Sequence, residues 1–138
     1  MYTLKHELEP SDLPILKHIY QSVGWKKHDE AIIQKVFEAS THKVFVMEGE
    51  KIIGFARALS DGVFNATIYD VVVHKDYQNK GVARMALENL LQQLEHISCV
   101  QLIATTGNDT FYKKFGFKKL KTGMAIYQSE KLSKEYLE

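Results

Sequence analysis

The chain has 138 residues, of which 45% are hydrophobic and 25% charged, and its formal net charge is +1. This length and composition predict one domain spanning residues 1–138, with enough apolar side chains to fill a core. The near-neutral charge gives no electrostatic reason to expect a nucleic-acid or membrane partner, so we predict neither.

The cellular location is predicted from the cysteine content and the apolar runs. A single cysteine, Cys99, cannot form an internal disulfide, and we expect it to be a small buried residue on a strand. Residues 1–7 lack the apolar run of a signal sequence, and no stretch approaches the ~18 apolar residues of a membrane span. These features predict a cytoplasmic protein.

The first forty residues predict one strand followed by two helices. Residues 2–8 alternate polar and apolar side chains, which indicates a strand. A helix follows, in which Ser11 or Asp12 can cap the free amides, and Gly24 ends it. The apolar spacing of residues 29–39 predicts the second helix.

Three antiparallel strands are predicted next. The apolar runs 44–47 and 52–57 flank a tight turn that contains Gly49, a pattern typical of a hairpin. Residues 61–62, Asp-Gly, mark a second turn, and residues 66–74 are rich in β-branched and aromatic side chains. The segment therefore predicts a three-stranded meander.

The second half predicts alternating helices and strands. The longest helix opens at Gly81, because apolar side chains then recur at steps of three and four residues. Residues 100–104 predict a buried strand, residues 110–114 a short helix and residues 124–128 a last strand. The charged tail, residues 129–138, is expected to be partly ordered.

Residues 71–84 carry the functional argument, because a strand ends there, a polar loop follows and the long helix begins at Gly81. Free amides and the helix dipole form an anion site at such a position, and it suits a diphosphate. Lys80 and Arg84 add positive charge. Lys80 precedes Gly81, which excludes a Walker loop, and one glycine is too few for a dinucleotide fingerprint. Taken alone, such a glycine is more typical of a plain connection.

Two motifs together point to a family. Gln78, Gly81 and Ala83 match the pattern Gln/Arg-x-x-Gly-x-Gly/Ala, and residues 111–117 contain Tyr-x-x-x-Gly-Phe, beginning at Tyr112. With this order of elements, nearly the whole chain resembles the GNAT superfamily of N-acetyltransferases. The resemblance implies an α/β, single-domain fold with a mixed central sheet of about six to seven strands flanked by about four helices.

The resemblance also implies a site for acetyl-coenzyme A (acetyl-CoA) as cosubstrate. Tyr112 falls where many members keep a tyrosine close to the coenzyme sulfur. Many members carry an asparagine seven residues earlier, where this chain has Thr105, so the nearby Asn108 is not assigned that role. The residues implied to bind the cosubstrate are Val71, Val72 and Val73 through the strand backbone, and Gln78, Asn79, Lys80, Gly81, Val82, Ala83 and Arg84 around the diphosphate.

The expected reaction is direct attack of a primary amine on the thioester. Tyr112 is the candidate donor of a proton to the leaving thiolate, with a buried structural aromatic as the alternative. The amide of Val71 or Val72 is the candidate oxyanion donor. Asp70 is the candidate base, although a salt-bridged or solvated acid is slightly favoured, and holding the reactants together can itself supply much of the rate.

The acceptor is expected to be a small-molecule or peptide amine. Trp25 either roofs an acceptor cleft or staples two helices together, and Phe55, Arg57 and Tyr69 are further candidate wall residues. The six histidines lack a metal-binding spacing, so no metal is predicted. The alternative function is a non-catalytic acyl-CoA-binding regulatory module. A homodimer is implied by the resemblance alone.

Overall fold

The computed structural model describes residues 1–138, which fold as two compact units, residues 1–103 and residues 104–138. Each unit is described by itself. The single domain expected from the chain length stays a prediction.

The first unit is built on a mixed sheet of five strands in the order β1-β2-β3-β4-β5. β1 to β4 pair antiparallel with their neighbours, and β5 runs parallel to β4. The predicted α/β class and meander are confirmed, but six to seven strands is too many, and β1 ends three residues early because its pairing with β2 ends there. The strands are β1 (Tyr2–Lys5), β2 (His42–Glu48), β3 (Lys51–Ser60), β4 (Asn65–Val73) and β5 (Cys99–Leu102).

Three helices complete this unit: α1 (Leu13–Ser22), α2 (Glu30–Ala39) and α3 (Val82–Gln93). Asp29 caps α2, because its carboxylate accepts the Ile32 N–H at 2.8 Å. The predicted side-chain cap of α1 is wrong. Asp12 instead closes a short 3-10 turn before α1, where its Oδ2 accepts the Glu9 N–H at 2.9 Å and pairs with Lys5 Nζ at 2.7 Å.

The two faces of the sheet are covered by different helices. α1 and α2 cover one face, whereas α3 packs against β2, β3 and β4 on the other, since neighbouring residues of a strand face opposite ways. A Cβ added to Gly54 would lie 2.8 Å from Val82 Cγ1, so this glycine lets the first turn of α3 approach β3 closely. The core on the α1 and α2 side comprises Leu13, Leu16, Ile19, Tyr20, Ile33, Phe37, Phe45, Met47, Ile52, Phe55 and Val72.

The second unit contains two short helices, α4 (Asp109–Lys113) and α5 (Glu130–Tyr136). The predicted strand at residues 124–128 is wrong: the segment has no regular structure, and Met124 and Ile126 are 97% and 87% exposed. The tail expected to be partly ordered contains α5, where Ser129 Oγ accepts the Leu132 N–H at 3.3 Å. The fold therefore has five α-helices rather than about four.

Cys99 departs from its predicted environment. It is the first residue of β5 and is exposed, because the strand has only four residues and begins at the surface. None of the helices combines the length and the apolar character needed to cross a bilayer.

Candidate active site

A β-bulge marks the point where β4 and β5 part. Arg57 of β3 lies opposite Asp70, and the next residue of β3, Ala58, lies opposite Ile68, so Tyr69 is the extra residue of β4. The pairing of β4 with β5 also ends at Ile68. Bulges bend a strand and increase its twist. The rest of β4 therefore has no strand neighbour on the β5 side.

The backbone groups of β4 that face this open edge are those of Val71 and Val73. The His74 N–H donates to the Ile53 carbonyl at 2.9 Å, which sets the alternation of the antiparallel ladder. By that alternation Val72, opposite Phe55, turns its N–H and C=O towards β3. Of the two residues expected to offer an oxyanion donor, Val71 has the suitable orientation and Val72 does not.

The start of α3 has the geometry of an anion site. Gly81 has φ +81°, in the left-handed region, and Asn79 has φ +63°. The Met85 N–H donates to the Gly81 carbonyl at 3.1 Å. The amides of Val82 and Ala83 come before this bond, in the first turn, where a helix supplies no acceptor. A Cβ at position 81 would meet no atom within 4 Å, so the space in front of the glycine is open.

Side chains tie the loop between β4 and α3 to its surroundings. Gln78 Nε2 donates to the Val73 carbonyl at 3.3 Å, so this side chain joins the open strand edge to the loop. The Tyr77 hydroxyl donates a hydrogen bond to Glu48 Oε1 at 3.2 Å, and Lys80 Nζ lies 5.5 Å from the centre of the Tyr77 ring. The sequence motif includes Gln78 and Lys80, but it gave no reason to single out Tyr77.

His74 caps the short 3-10 turn, Lys75–Tyr77, that opens this loop. Its Nδ1 accepts the Asp76 N–H at 3.1 Å, and the ring lies 5.1 Å from that of His18 on α1. Burial lowers the pKa of His74, and the charges of His18 and Lys51 lower it further, against the opposing effect of Asp76. A neutral ring is therefore the form that holds the turn.

Asp70 lies in a buried ion pair. Its Oδ2 accepts a hydrogen bond from Arg57 Nε at 2.7 Å and another from the Tyr20 hydroxyl at 2.8 Å. The sequence left a salt-bridged acid as the alternative to a base, and this is the environment that the structure shows. Tyr20 had no sequence signal, because its link to Asp70 spans 50 residues.

The candidate wall residues of the acceptor cleft lie in different environments. Trp25 is half-buried, stacks on Tyr20 with ring centres 5.6 Å apart, and packs against the core. Phe55 is fully buried and cannot line a cleft, so that expectation is wrong. Tyr69 is 56% exposed, and the Arg57 guanidinium lies 5.2 Å from the centre of its ring.

Tyr112 lies on α4 in the second unit. It is half-buried, and burial raises the pKa of its hydroxyl, so the group stays protonated near neutral pH. Its ring contacts Phe111 and Phe117 edge-on. Asn108 Nδ2 donates to the Thr105 side chain, which holds this amide within its own turn.

Comparisons with known proteins all point to one family. The model of the acetyltransferase (GNAT) family matches residues 6–117. The chain is 38% identical over 110 residues to the uncharacterized N-acetyltransferase ycf52 of Pyropia yezoensis, covering 75% of this chain and 63% of that protein. It is 32% identical over 129 residues to serotonin N-acetyltransferase 2, chloroplastic, of Oryza sativa subsp. japonica, covering 86% and 64%.

A solved structure shows the same fold. The GNAT family acetyltransferase SP0256 of Streptococcus pneumoniae TIGR4 aligns with a TM-score of 0.80 at 24% identity, covering 94% of this chain and 99% of that one. The chain spans less than two thirds of the length of the two relatives named above.

Proposed function

The chain belongs to the GNAT family of acetyltransferases, and from that premise we propose that it transfers an acetyl group from acetyl-CoA to a primary amine. One observation carries the proposal: the open edge of β4 at Val71 and Val73 leads directly into the anion site at Gly81. An extended, amide-containing arm that ends in a diphosphate fits this sequence of features, whereas a plain structural connection has no need of both.

The proposed binding mode divides the cosubstrate between strand and helix. Backbone groups of Val71 and Val73 pair with the pantetheine arm as a neighbouring strand would. The amides from Gly81 to Ala83 bind the diphosphate, because they lack acceptors and lie at the positive end of the helix dipole. Lys80 and Arg84, both exposed, add charge beside it.

In the proposed chemistry, the thioester supplies an activated acyl group. The neutral amine nitrogen bonds to the carbonyl carbon and the carbon–sulfur bond breaks. The nitrogen gives up one proton and the thiolate takes one. Val71 offers an N–H to the developing oxyanion. Tyr112 is the proposed donor to the thiolate, since its hydroxyl stays protonated. Asp70 is the proposed base, which accepts the proton that the amine gives up, directly or through water.

A primary amine as acceptor is supported by the name of the rice relative, since serotonin carries one. Whether the amine belongs to a small molecule or a peptide follows from no feature of the chain. That relative is named as chloroplastic, and the cytoplasmic location expected from the sequence stays a prediction. The homodimer also stays a prediction.

Two measurements test the proposal in sequence. Calorimetry with CoA and acetyl-CoA should show saturable binding of both, and thiol release should then be followed across a panel of primary amines. Amine-dependent release is the expected result. Binding without release from any amine would instead support a non-catalytic acyl-CoA-binding module, and absence of binding would refute the site.

A further inference from the structure

The carboxylate of Asp70 is used on one side only. Both of its hydrogen bonds go to Oδ2, from Arg57 on β3 and from Tyr20 on α1. Oδ1 accepts no hydrogen bond from the chain. It is not sealed from solvent either, since the one buried side-chain atom without a partner is Nδ1 of His28. An ionised carboxylate has about four acceptor positions. Half of this group is therefore left for a donor that the chain itself does not supply.

Tyr20 is held rigidly on its side of the contact. It is fully buried and lies between the rings of Phe55, at 5.0 Å, and His28, at 4.1 Å, with Trp25 next to them. Burial, followed by the charge and hydrogen bond of Asp70, raises the pKa of the Tyr20 hydroxyl, so it remains a donor at any physiological pH. The direction of this hydrogen bond is therefore fixed.

Arg57 is held from two sides. Its Nη1 donates to Ser40 Oγ at 3.3 Å, and its guanidinium lies over the Tyr69 ring. The groups with charge or titratable protons that contact Asp70 are therefore Arg57 from β3 and Tyr20 from α1. Together they prevent rotation of the carboxylate, because turning it would break both bonds to Oδ2.

We propose that Tyr20 and Arg57 are positioning residues, which fix Asp70 through Oδ2 so that Oδ1 accepts an N–H of the acceptor amine. The proposal rests on the acetyl transfer proposed above and extends it to two residues outside the cosubstrate site. The proposal also predicts the charge of the acceptor. An alkylamine, which is cationic before the reaction, fits a fixed carboxylate, whereas a neutral aniline does not. Tyr69, which precedes Asp70 on β4 and lies beside Arg57, is 56% exposed.

The ratio of kcat/KM for an alkylamine to kcat/KM for an aniline is the deciding measurement. Arg57→Gln removes the charged donor to Oδ2 and leaves the carboxylate free to turn, so this ratio should fall about tenfold or more. Arg57→Lys keeps a charged donor and should restore the wild-type ratio. Tyr20→Phe should lower the ratio about tenfold, since it removes one hydrogen bond to a charged group.

The matched control is Tyr2→Phe on β1, because this hydroxyl makes no hydrogen bond and β1 lies three strands from β4. It should leave the ratio unchanged. Thermal unfolding shows whether each variant folds. If Tyr20→Phe fails to fold, the variants of the half-buried Arg57 decide the question. Affinity for acetyl-CoA, measured by calorimetry, should stay at the wild-type value in all four variants.

Three outcomes overturn the inference. A wild-type ratio in folded Arg57→Gln would make the ion pair merely structural. Equal turnover of anilines and alkylamines would contradict the role of Oδ1. Neither of these two results would contradict the proposed acetyl transfer. If the wild-type protein binds acetyl-CoA but acetylates no amine, the proposed function fails and this inference fails with it.

Discussion

Gly81 offers a test that separates backbone strain from ligand binding. Its φ of +81° is left-handed, and an added Cβ would meet no protein atom within 4 Å. Gly81→Ala therefore costs only the strain of a non-glycine residue in this region, about 1–2 kcal/mol in the free energy of unfolding. The same methyl group would occupy the open space proposed for the diphosphate, so CoA affinity should fall by much more than stability does.

Gly62, in the turn between β3 and β4, is a closely matched control. Its φ is +80°, and a Cβ there also meets nothing within 4 Å. Gly62→Ala should lower the free energy of unfolding by the same ~1–2 kcal/mol, measured by urea denaturation, and leave the calorimetric Kd for CoA unchanged. We expect Gly81→Ala to raise that Kd at least tenfold. An unchanged Kd in Gly81→Ala, or an equal rise in both variants, would refute the assignment of the diphosphate to α3.

Three further predictions follow from the same structure. Tyr112→Phe should lower kcat about 100-fold with an unchanged Kd for CoA, measured by steady-state kinetics and calorimetry; an equal loss of binding would mark the residue as structural. Gly54→Ala should lower the free energy of unfolding by about 1–3 kcal/mol, because its Cβ would lie 2.8 Å from Val82 Cγ1, and denaturation with near-wild-type stability would contradict the close packing of α3. Because the pKa of His74 is lowered on folding, the unfolded chain binds more protons below about pH 6.5, so the free energy of unfolding should fall as the pH drops below that value. His74→Asn keeps an acceptor for the Asp76 N–H and should flatten this dependence, and a variant that keeps the full pH dependence would place its origin elsewhere.

Local pattern was sufficient for the elements that have strong local signals. The hairpin around Gly49, the helix after Asp29 and the helix start at Gly81 follow from turn chemistry and apolar spacing, and all three are confirmed. The strand predicted at residues 124–128 had only a short apolar run in its favour. Such a run forms a strand where a neighbouring sheet covers it, and Met124 and Ile126 are exposed.

The environment of Asp70 could not be read from the sequence, because its partners come from other elements. Arg57 reaches it through the register of β3 and β4, and Tyr20 through the packing of α1 on the sheet. The amino-acid sequence alone does not distinguish a salt-bridged acid from a catalytic base. The sequence therefore pointed to Asp70 while leaving open what holds it.

The bulge at Tyr69 explains why the strand's own alternation misleads at this point. Counted along β4, Ile68 and Asp70 are two residues apart and would share a face. The structure pairs Ile68 with Ala58 and Asp70 with Arg57, and neighbours on β3 face opposite ways, so the extra residue turns Asp70 to the other face. That is the face of Tyr20 and α1. One inserted residue thus ends the pairing with β5, which opens the edge at Val71, and brings the carboxylate to the helix that fixes it.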